Sequence, residues 1–112
     1  MALTQKMEAY AKASQEELRQ LIREISVIPA PSHHEDKRVA YVKAKMEEMG
    51  AKGVYIDDAK NVIWPIGVKE DNDVVAIMAH TDVVFMDTEP LPFKEDEKYF
   101  YAPGVGDDTA CL

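Results

Sequence analysis

The chain contains one continuous apolar run, residues 74–79 (VVAIMA), which ends in His80-Thr81-Asp82. Successive side chains of a strand point to opposite faces, so an uninterrupted apolar run is typical of a strand covered on both sides of a sheet. Ligands of open α/β sheets collect beyond the carboxyl ends of such strands. The run therefore predicts a buried central strand that presents His80 and Asp82, which alternation places on one face, at a binding crevice.

Two amphipathic helices are predicted ahead of this strand. A capping-box pattern and apolar residues at helical spacing predict the first helix over residues 14–27. Residues 4–13 are good helix formers, and they either extend that helix or form a separate turn. Ser32 and Glu35 repeat the capping-box spacing, and the apolar stripe that follows them ends at Gly50, a typical carboxyl-terminal cap. The first half of the chain is therefore predicted to be helical.

The hydrophobic period changes to two beyond these helices. Alternating residues over 54–57 and an extended run over 62–66, joined by a polar turn, predict a β-hairpin. Residues 83–98 are acidic and contain two prolines, which indicates a surface loop, and residues 109–112 have the pattern of a helix opening. The predicted fold class is α/β, with two helices followed by a hairpin and a buried central strand in a mixed sheet.

Composition restricts the classes of protein to which the chain belongs. Its 112 residues are 46% hydrophobic and 30% charged, which is ordinary for one small folded domain. The net charge of -8 disfavours nucleic acid and anionic membrane surfaces as partners, because both are themselves negative. Residues 1–6 have no apolar signal region, no run approaches the roughly 20 apolar residues of a membrane span, and Cys111 is the single cysteine. We expect a cytoplasmic protein without an internal disulfide.

A second motif, residues 104–108 (GVGDD), follows near the end of the sequence. Its glycines allow a tight turn, and two adjacent acids at a turn concentrate negative charge that a nearby cation relieves. Imidazole and carboxylate groups together suit zinc and similar divalent ions. The combination of this turn with His80 is more specific than either motif alone, and it predicts a metal site.

These residues resemble those of a known family, the dizinc metallopeptidases that include peptidase T, aminoacylase, glutamate carboxypeptidase and succinyl-diaminopimelate desuccinylase. The similarity also takes in residues 28–32 (IPAPS) after the first helix, and it extends from about Ser14 to Leu112. The resemblance implies a zinc-peptidase-like catalytic domain. It also implies a hydrolase that cleaves peptide or N-acyl-amino-acid amide bonds with water activated by two zinc ions.

The resemblance further implies roles for individual residues. His80 would ligate one zinc ion, and Asp107 would bridge both ions, because a shared carboxylate lowers the cost of holding two cations about 3.5–4 Å apart. Asp82, the catalytic residue of this set, would orient His80 from outside the ligand shell and fix its tautomer. Asp108 would not be a ligand, and family members often have a cis peptide bond between the positions of Asp107 and Asp108.

Other parts of the family's pattern do not occur in these 112 residues. Family members have a downstream Glu-Glu pair that supplies the general base and a ligand, then a further acid and a distant histidine as ligands, and an inserted lid domain. We therefore expect residues 1–112 to be a truncated N-terminal portion of a metallopeptidase catalytic domain, without the lid or dimerisation domain. Such a portion would hold zinc weakly and would be inactive alone.

A different class of function fits the same sequence, a standalone, noncatalytic, self-associating α/β module. The helix that opens at Thr109 would normally cover one face of the sheet, and its loss would expose apolar surface along residues 74–78. Exposed apolar patches and unpaired strand edges favour self-association, so a homo-oligomer is expected. A phosphate-binding α/β protein is disfavoured, because the chain has no glycine-rich lysine loop.

Overall fold

Three α-helices form the first half of the chain in the computed structural model, which describes residues 4–84 and 89–112. They are α1 (Gln5–Ala13), α2 (Gln15–Ser26) and α3 (Asp36–Glu48). Across the described residues, no helix combines the length and the apolar character needed to cross a membrane. The two helices predicted from capping and periodicity are confirmed as α2 and α3, and α1 is a separate helix.

The junction between α1 and α2 lies at Ser14. Thr4 caps the start of α1, where its hydroxyl accepts a hydrogen bond from the backbone N–H of Met7 (3.3 Å). Ser14 has helical φ and ψ and makes no side-chain cap for α2, and its hydroxyl instead donates to the carbonyl of Tyr10 (2.9 Å). The capping box predicted at Ser14 is therefore wrong, because a serine within nearly continuous helix bonds back by one turn.

The start of α3 also differs from the sequence prediction. Glu35 holds the N-cap position without a side-chain cap, and its carboxylate accepts the backbone N–H of His33 (2.6 Å). The predicted second capping box is wrong, because Ser32 lies three residues before the N-cap and its Oγ donates to the Asp82 carboxylate. The predicted end is confirmed, since Gly50 follows the last turn with a φ of 96°.

A short antiparallel hairpin follows α3. It pairs β1 (Tyr55–Ile56) with β2 (Val62–Ile63), and Tyr55 lies opposite Ile63. The Asp57 carboxylate closes the turn by accepting hydrogen bonds from two backbone N–H groups of the connecting residues. The hairpin predicted from alternating residues is confirmed, with shorter strands.

A second antiparallel hairpin pairs β3 (Lys94–Glu95) with β4 (Phe100–Tyr101). The strand β3 lies within residues 83–98, which the sequence predicts to be a surface loop. Residues 85–88 of that prediction lie outside the described residues. Leu91 is only 2% exposed, so the prediction is wrong at this position, where an apolar side chain between two prolines reaches the core.

Residues 74–79 do not form the predicted central strand. They run without strand pairing, and the side chains of Val75 and Ile77 are 89% and 97% exposed. Both sheets of the described residues are two-stranded and antiparallel, so the prediction of a buried strand in a mixed sheet is wrong. An apolar run becomes a buried strand only where neighbouring strands and covering helices exist. The coarser prediction, a chain of helices and strands in the α/β class, is confirmed.

A parallel contact holds Val83, which follows this run, against the loop after α2. The backbone N–H of Val83 donates to the carbonyl of Ala30 (2.8 Å), and Pro31 forms an isolated parallel bridge with Val83. Ala30 and Val83 both belong to the small core. Its buried apolar residues are Ile25, Ala30, Val39, Val42, Ala51, Val54, Val83 and Leu91. The contact therefore places residues 80–82 beside the helices.

The acidic turn, Val105–Thr109, packs against α2. Gly104 precedes it with a φ of 65°, and Asp107 departs from helical geometry with φ -146° and ψ 83°. The helix predicted to open at Thr109 is not formed, since Thr109 is the last residue of this turn and is buried. A left-handed glycine and an extended residue interrupt the regular pattern of helical hydrogen bonds.

Candidate metal centre

The side chains of His80 and Asp107 meet although they come from different segments. His80 Nε2 lies 2.9 Å from Asp107 Oδ1. His80 belongs to residues 80–83, here called the histidine arm, and Asp107 belongs to the acidic turn. The predicted convergence of an imidazole and an acid from separate loops is therefore observed, even though the strand expected to carry the histidine is absent.

Asp82 contacts the opposite side of the imidazole ring. His80 Nδ1 lies 3.1 Å from the backbone carbonyl oxygen of Asp82 and 3.2 Å from its Oδ1. Ser32 Oγ donates to the other carboxylate oxygen, Oδ2, at 2.6 Å. This hydrogen bond is the main reason that the pKa of Asp82 lies below its usual value, and the charge of His80 adds to it. An ionised Asp82 held by Ser32 thus orients the ring.

The acidic turn lies tight against the histidine arm at Gly104. A β-carbon on Gly104 would lie 2.3 Å from Val83 Cγ1, so only glycine fits without displacement. Asp108 Oδ2 accepts a hydrogen bond from the backbone N–H of His80 at 3.3 Å. The peptide bond between Asp107 and Asp108 is cis, as the resemblance implies. Asp108 therefore joins the two segments, and the Asp107 carboxylate faces the ring.

Both ring nitrogens of His80 face hydrogen-bond acceptors. Nδ1 faces two oxygens of Asp82, and Nε2 faces a carboxylate oxygen of Asp107. A neutral imidazole carries one N–H, so one of these contacts would set a lone pair against an oxygen. Protonation of the ring removes that repulsion, and so does a cation at Nε2. The hydrogen bond to Asp107 accordingly raises the pKa of His80, while desolvation opposes the change.

A pH titration of His80 tests this arrangement. We expect its pKa, followed through the ring protons by NMR, to lie above about 6.5, the usual value for histidine, and to fall toward it in Asp107→Ala. Because the folded state favours the protonated ring, the stability from this contact is present below about pH 6.5 and is lost as pH rises through the raised pKa.

The matched control for this titration is Asp58→Ala. It removes an exposed carboxylate in the turn of the first hairpin and should leave the pKa of His80 unchanged. An equal decrease in both variants would indicate a general effect of net charge rather than the contact with Asp107. A His80 pKa at or below about 6.5 in the parent chain would contradict the arrangement.

Cys111 lies beside the site without joining it. Its thiol hydrogen-bonds to the Asp108 carboxylate, which raises the pKa of Cys111 and lowers the pKa of Asp108. The residue is exposed, in contrast to the buried position typical of a free cysteine. The raised pKa leaves little of the thiolate, the form that attacks and that binds metals, at neutral pH.

An open cleft of about 340 Å³ lies between the histidine arm and the acidic turn. Its lining includes His80, Asp82, Val84 and Asp107. The side chain of His80 is 50% exposed and that of Asp107 is 91% exposed. Solvent and small ligands therefore reach both donor atoms directly.

The donor set fits zinc in type but not in number. An imidazole nitrogen and a carboxylate oxygen are both zinc ligands, and these two converge. Among residues 4–84 and 89–112, no three His, Cys, Asp or Glu side chains form a group that could hold a metal ion. A catalytic zinc ion takes three protein ligands and a water molecule. The described residues thus contain two candidate ligands and no complete set.

Sequence patterns do not single out two further residues that support the site. Ser32 has the spacing of a helix cap, and it bonds to Asp82 instead. The sequence feature that could have pointed to a role for Ser32 in the site is its place in residues 28–32, one of the segments that resemble the family. Arg38 lies buried beneath both segments of the site. The sequence feature that could have identified Arg38 is weaker: it is a charged residue next to Val39, which lies on the apolar stripe of α3.

Comparisons with known proteins do not add a family to this geometry. No protein-family model matches the chain, and a search of curated proteins finds no match. We therefore infer function from the side chains of the site and from the residue pattern that they form.

Proposed function

We propose that the chain supplies part of the active site of a metal-dependent hydrolase that cleaves peptide or N-acyl-amino-acid amide bonds. The observation that carries this proposal is the 2.9 Å approach of His80 Nε2 to Asp107 Oδ1. The order of the motifs also supports it, since it resembles the order in dizinc metallopeptidases such as peptidase T and aminoacylase. In this proposal, residues 1–112 belong to the N-terminal part of the catalytic domain.

Each residue of the site has a distinct role in this proposal. His80 would ligate one zinc ion, and Asp107 would bridge two. Asp82 holds the Nδ1 side of the ring, which would leave Nε2 as the zinc ligand and raise its basicity. Asp108 keeps the two segments together through the backbone of His80. The two ions, when bound, supply an activated water and polarise the scissile carbonyl.

The proposed reaction needs groups beyond these. A general base and the remaining zinc ligands would come from outside the described residues, and the open cleft leaves space for them. Zinc binding by this chain alone should therefore be weak, because the free energy of binding grows with the number of deprotonated ligands held in place.

Calorimetric zinc titration measures how much of the site these residues provide. We expect a Kd weaker than about 1 µM, because two ligands provide about half of the 10–16 kcal/mol of a complete zinc site. His80→Ala and Asp107→Ala should each abolish the binding. Since zinc replaces the proton at Nε2, the affinity should increase as pH rises through the raised pKa of His80.

The control for zinc binding is His34→Ala. His34 is an exposed histidine in the loop before α3, and its replacement should leave the affinity unchanged. Zinc binding that survives His80→Ala would contradict the proposed ligand. A submicromolar Kd would contradict the view that these residues hold only part of a site.

The reaction itself is tested on the polypeptide that contains these residues in its native source. Purified with its metal retained, that polypeptide should hydrolyse dipeptides or N-acyl amino acids, and a zinc chelator should abolish the activity. Asp107→Ala should abolish it as well, while Asp58→Ala should not. A zinc-free polypeptide without hydrolytic activity would refute the proposed function.

A second candidate function is a noncatalytic, self-associating module, and the exposed run 74–79 favours it. Val75, Ile77 and Met78 are 87–97% exposed. Within the part of the chain that the structure describes, no backbone hydrogen bond joins this run to another segment. A second copy offers the same unpaired N–H and C=O groups, so two runs can pair as antiparallel strands about a twofold axis. This candidate is a homo-oligomer built on the run.

A further inference from the structure

A buried arginine lies behind the candidate metal centre. Arg38, on α3, is 1% exposed and has the largest fully buried side chain among the described residues. Arginine is almost never buried to this extent, because moving a charge out of water is costly. The position of Arg38 therefore calls for a reason beyond the packing of α3.

The guanidinium of Arg38 hydrogen-bonds to three separate segments. Nε and Nη2 donate to the carbonyl of Ile28, in the loop after α2, at 3.1 and 2.7 Å. Nη1 donates to the carbonyl of Thr81, in the middle of the histidine arm, at 3.2 Å. Nη1 also donates to the hydroxyl of Thr109, in the acidic turn, at 3.2 Å. One rigid group thus joins both segments of the site to the helices.

We propose that Arg38 is a positioning residue of the metal centre, whose guanidinium sets the distance between the histidine arm and the acidic turn. This inference rests on the proposed function, because it assigns a purpose to the approach of His80 and Asp107. The guanidinium is planar and presents its N–H groups in a fixed fork. Thr81 and Thr109 share one nitrogen of that fork, so neither segment moves away without breaking a hydrogen bond, which is partly buried at Thr81 and buried at Thr109.

The partners of Arg38 favour positioning over general stabilisation. They are carbonyl and hydroxyl oxygens, and burial lowers the pKa of Arg38 while the charge of Asp82 opposes that decrease. Apolar side chains of similar volume often stabilise a core as well as a buried ion does. An apolar side chain cannot donate to Thr81 and Thr109 together. The property that requires arginine here is the link between the two segments.

The test measures the distance between the two segments by NMR in a folded variant. The parent chain should give a nuclear Overhauser effect between the His80 ring and the Asp107 β-protons, which reports their contact. Arg38→Met should lose this signal while keeping the signals of the β1–β2 hairpin. Arg38→Lys keeps the positive charge but lacks the fork of guanidinium N–H groups, so it should also lose the nuclear Overhauser effect. The control is Arg23→Met, because Arg23 bonds to glutamates outside the site.

A second variant decides the question if Arg38→Met does not fold. Thr109→Val is nearly isosteric and removes only the hydrogen bond from Arg38 to the acidic turn. It should keep the helices and the hairpin and weaken the contact between His80 and Asp107. An undiminished contact in folded Thr109→Val or folded Arg38→Met would overturn the proposal.

Zinc affinity separates a failure of this inference from a failure of the proposed function. If both hold, Thr109→Val should weaken His80-dependent zinc binding about 10–100-fold, as removal of supporting groups around metal ligands does. If the contact depends on Arg38 but the parent chain binds no zinc through His80, the positioning role stands and the proposed function fails. If zinc binds through His80 equally well in parent and variant, the positioning role fails and the proposed function stands.

Discussion

Gly104→Ala should lower the free energy of unfolding by about 2–5 kcal/mol, from a left-handed backbone that disfavours alanine and from overpacking. The φ of Gly104 is 65°, and the added β-carbon would lie 2.3 Å from Val83 Cγ1 and 3.1 Å from the carbonyl oxygen of Asp107. Val83 is 3% exposed and tied to the loop after α2, so it has little freedom to move. The acidic turn should shift away, and the contact between His80 and Asp107 should be lost.

Two other glycines provide matched controls for this substitution. Gly106→Ala lies in the same turn, where a β-carbon would meet nothing within 4 Å, and it should change stability little. Gly67 has a φ of 62°, and a β-carbon there would meet nothing within 4 Å. Gly67→Ala therefore measures the cost of the left-handed backbone alone. Urea denaturation gives the three free energies of unfolding. Equal effects of Gly104→Ala and Gly67→Ala would show that the approach to Val83 is not tight.

Ile77→Lys should dissociate the oligomer of the second candidate function. Burial of an isoleucine side chain contributes about 1.5–3 kcal/mol, and a symmetric dimer buries two, so the dissociation constant should increase about 100-fold or more. The side chain is 97% exposed in a single copy, so the fold of the monomer should not change. Light scattering and sedimentation over a range of concentrations measure the effect. Because the chain carries a net charge of -8, added salt should strengthen the association by screening repulsion.

The control for self-association is Leu18→Lys. Leu18 is an exposed apolar residue on α2, outside the run 74–79, and its replacement should leave association unchanged. Equal effects of the two variants would indicate nonspecific apolar contact. A parent chain that stays monomeric at high concentration would rule out the second candidate function.

Local signals explain which parts of the fold are predictable from the sequence. The helices α2 and α3 follow from apolar periodicity, and the first hairpin follows from alternation around a polar turn. The run 74–79 is predicted to be buried and is exposed, because burial depends on neighbours that no local pattern specifies. Neither predicted capping box forms, although both serines have the expected spacing. Ser14 has helical backbone angles and Ser32 lies three residues before the N-cap of α3, and each hydroxyl donates to another oxygen.

The same distinction holds at the candidate site. His80, Asp82 and Asp107 are recognisable because their residue types suit a metal and their order resembles a known family. Their supports are not recognisable, because the contacts span long separations. Ser32 reaches Asp82 across 50 residues, and Arg38 reaches the acidic turn across 71. Only the folded chain shows which donor meets which distant acceptor.

The exposed run adjoins the histidine arm, one of the two segments that carry the incomplete donor set. Residues 74–79 lead directly into His80, so a strand that paired with the run would also lie beside the metal centre. Under the proposed function, one neighbouring segment would cover the apolar side chains and bring further ligands. Self-association through the run and completion of the site would then compete for the same edge.

Zinc titration followed by NMR of the histidine ring nitrogens shows whether His80 is a zinc ligand. The chain has three histidines, of which His33 and His34 are exposed residues of the loop before α3 and serve as internal controls. We expect zinc to shift the Nε2 resonance of His80 and to leave the rings of His33 and His34 unchanged, and we expect Asp107→Ala to remove the shift. Zinc-induced shifts at His33 or His34 with none at His80 would contradict it.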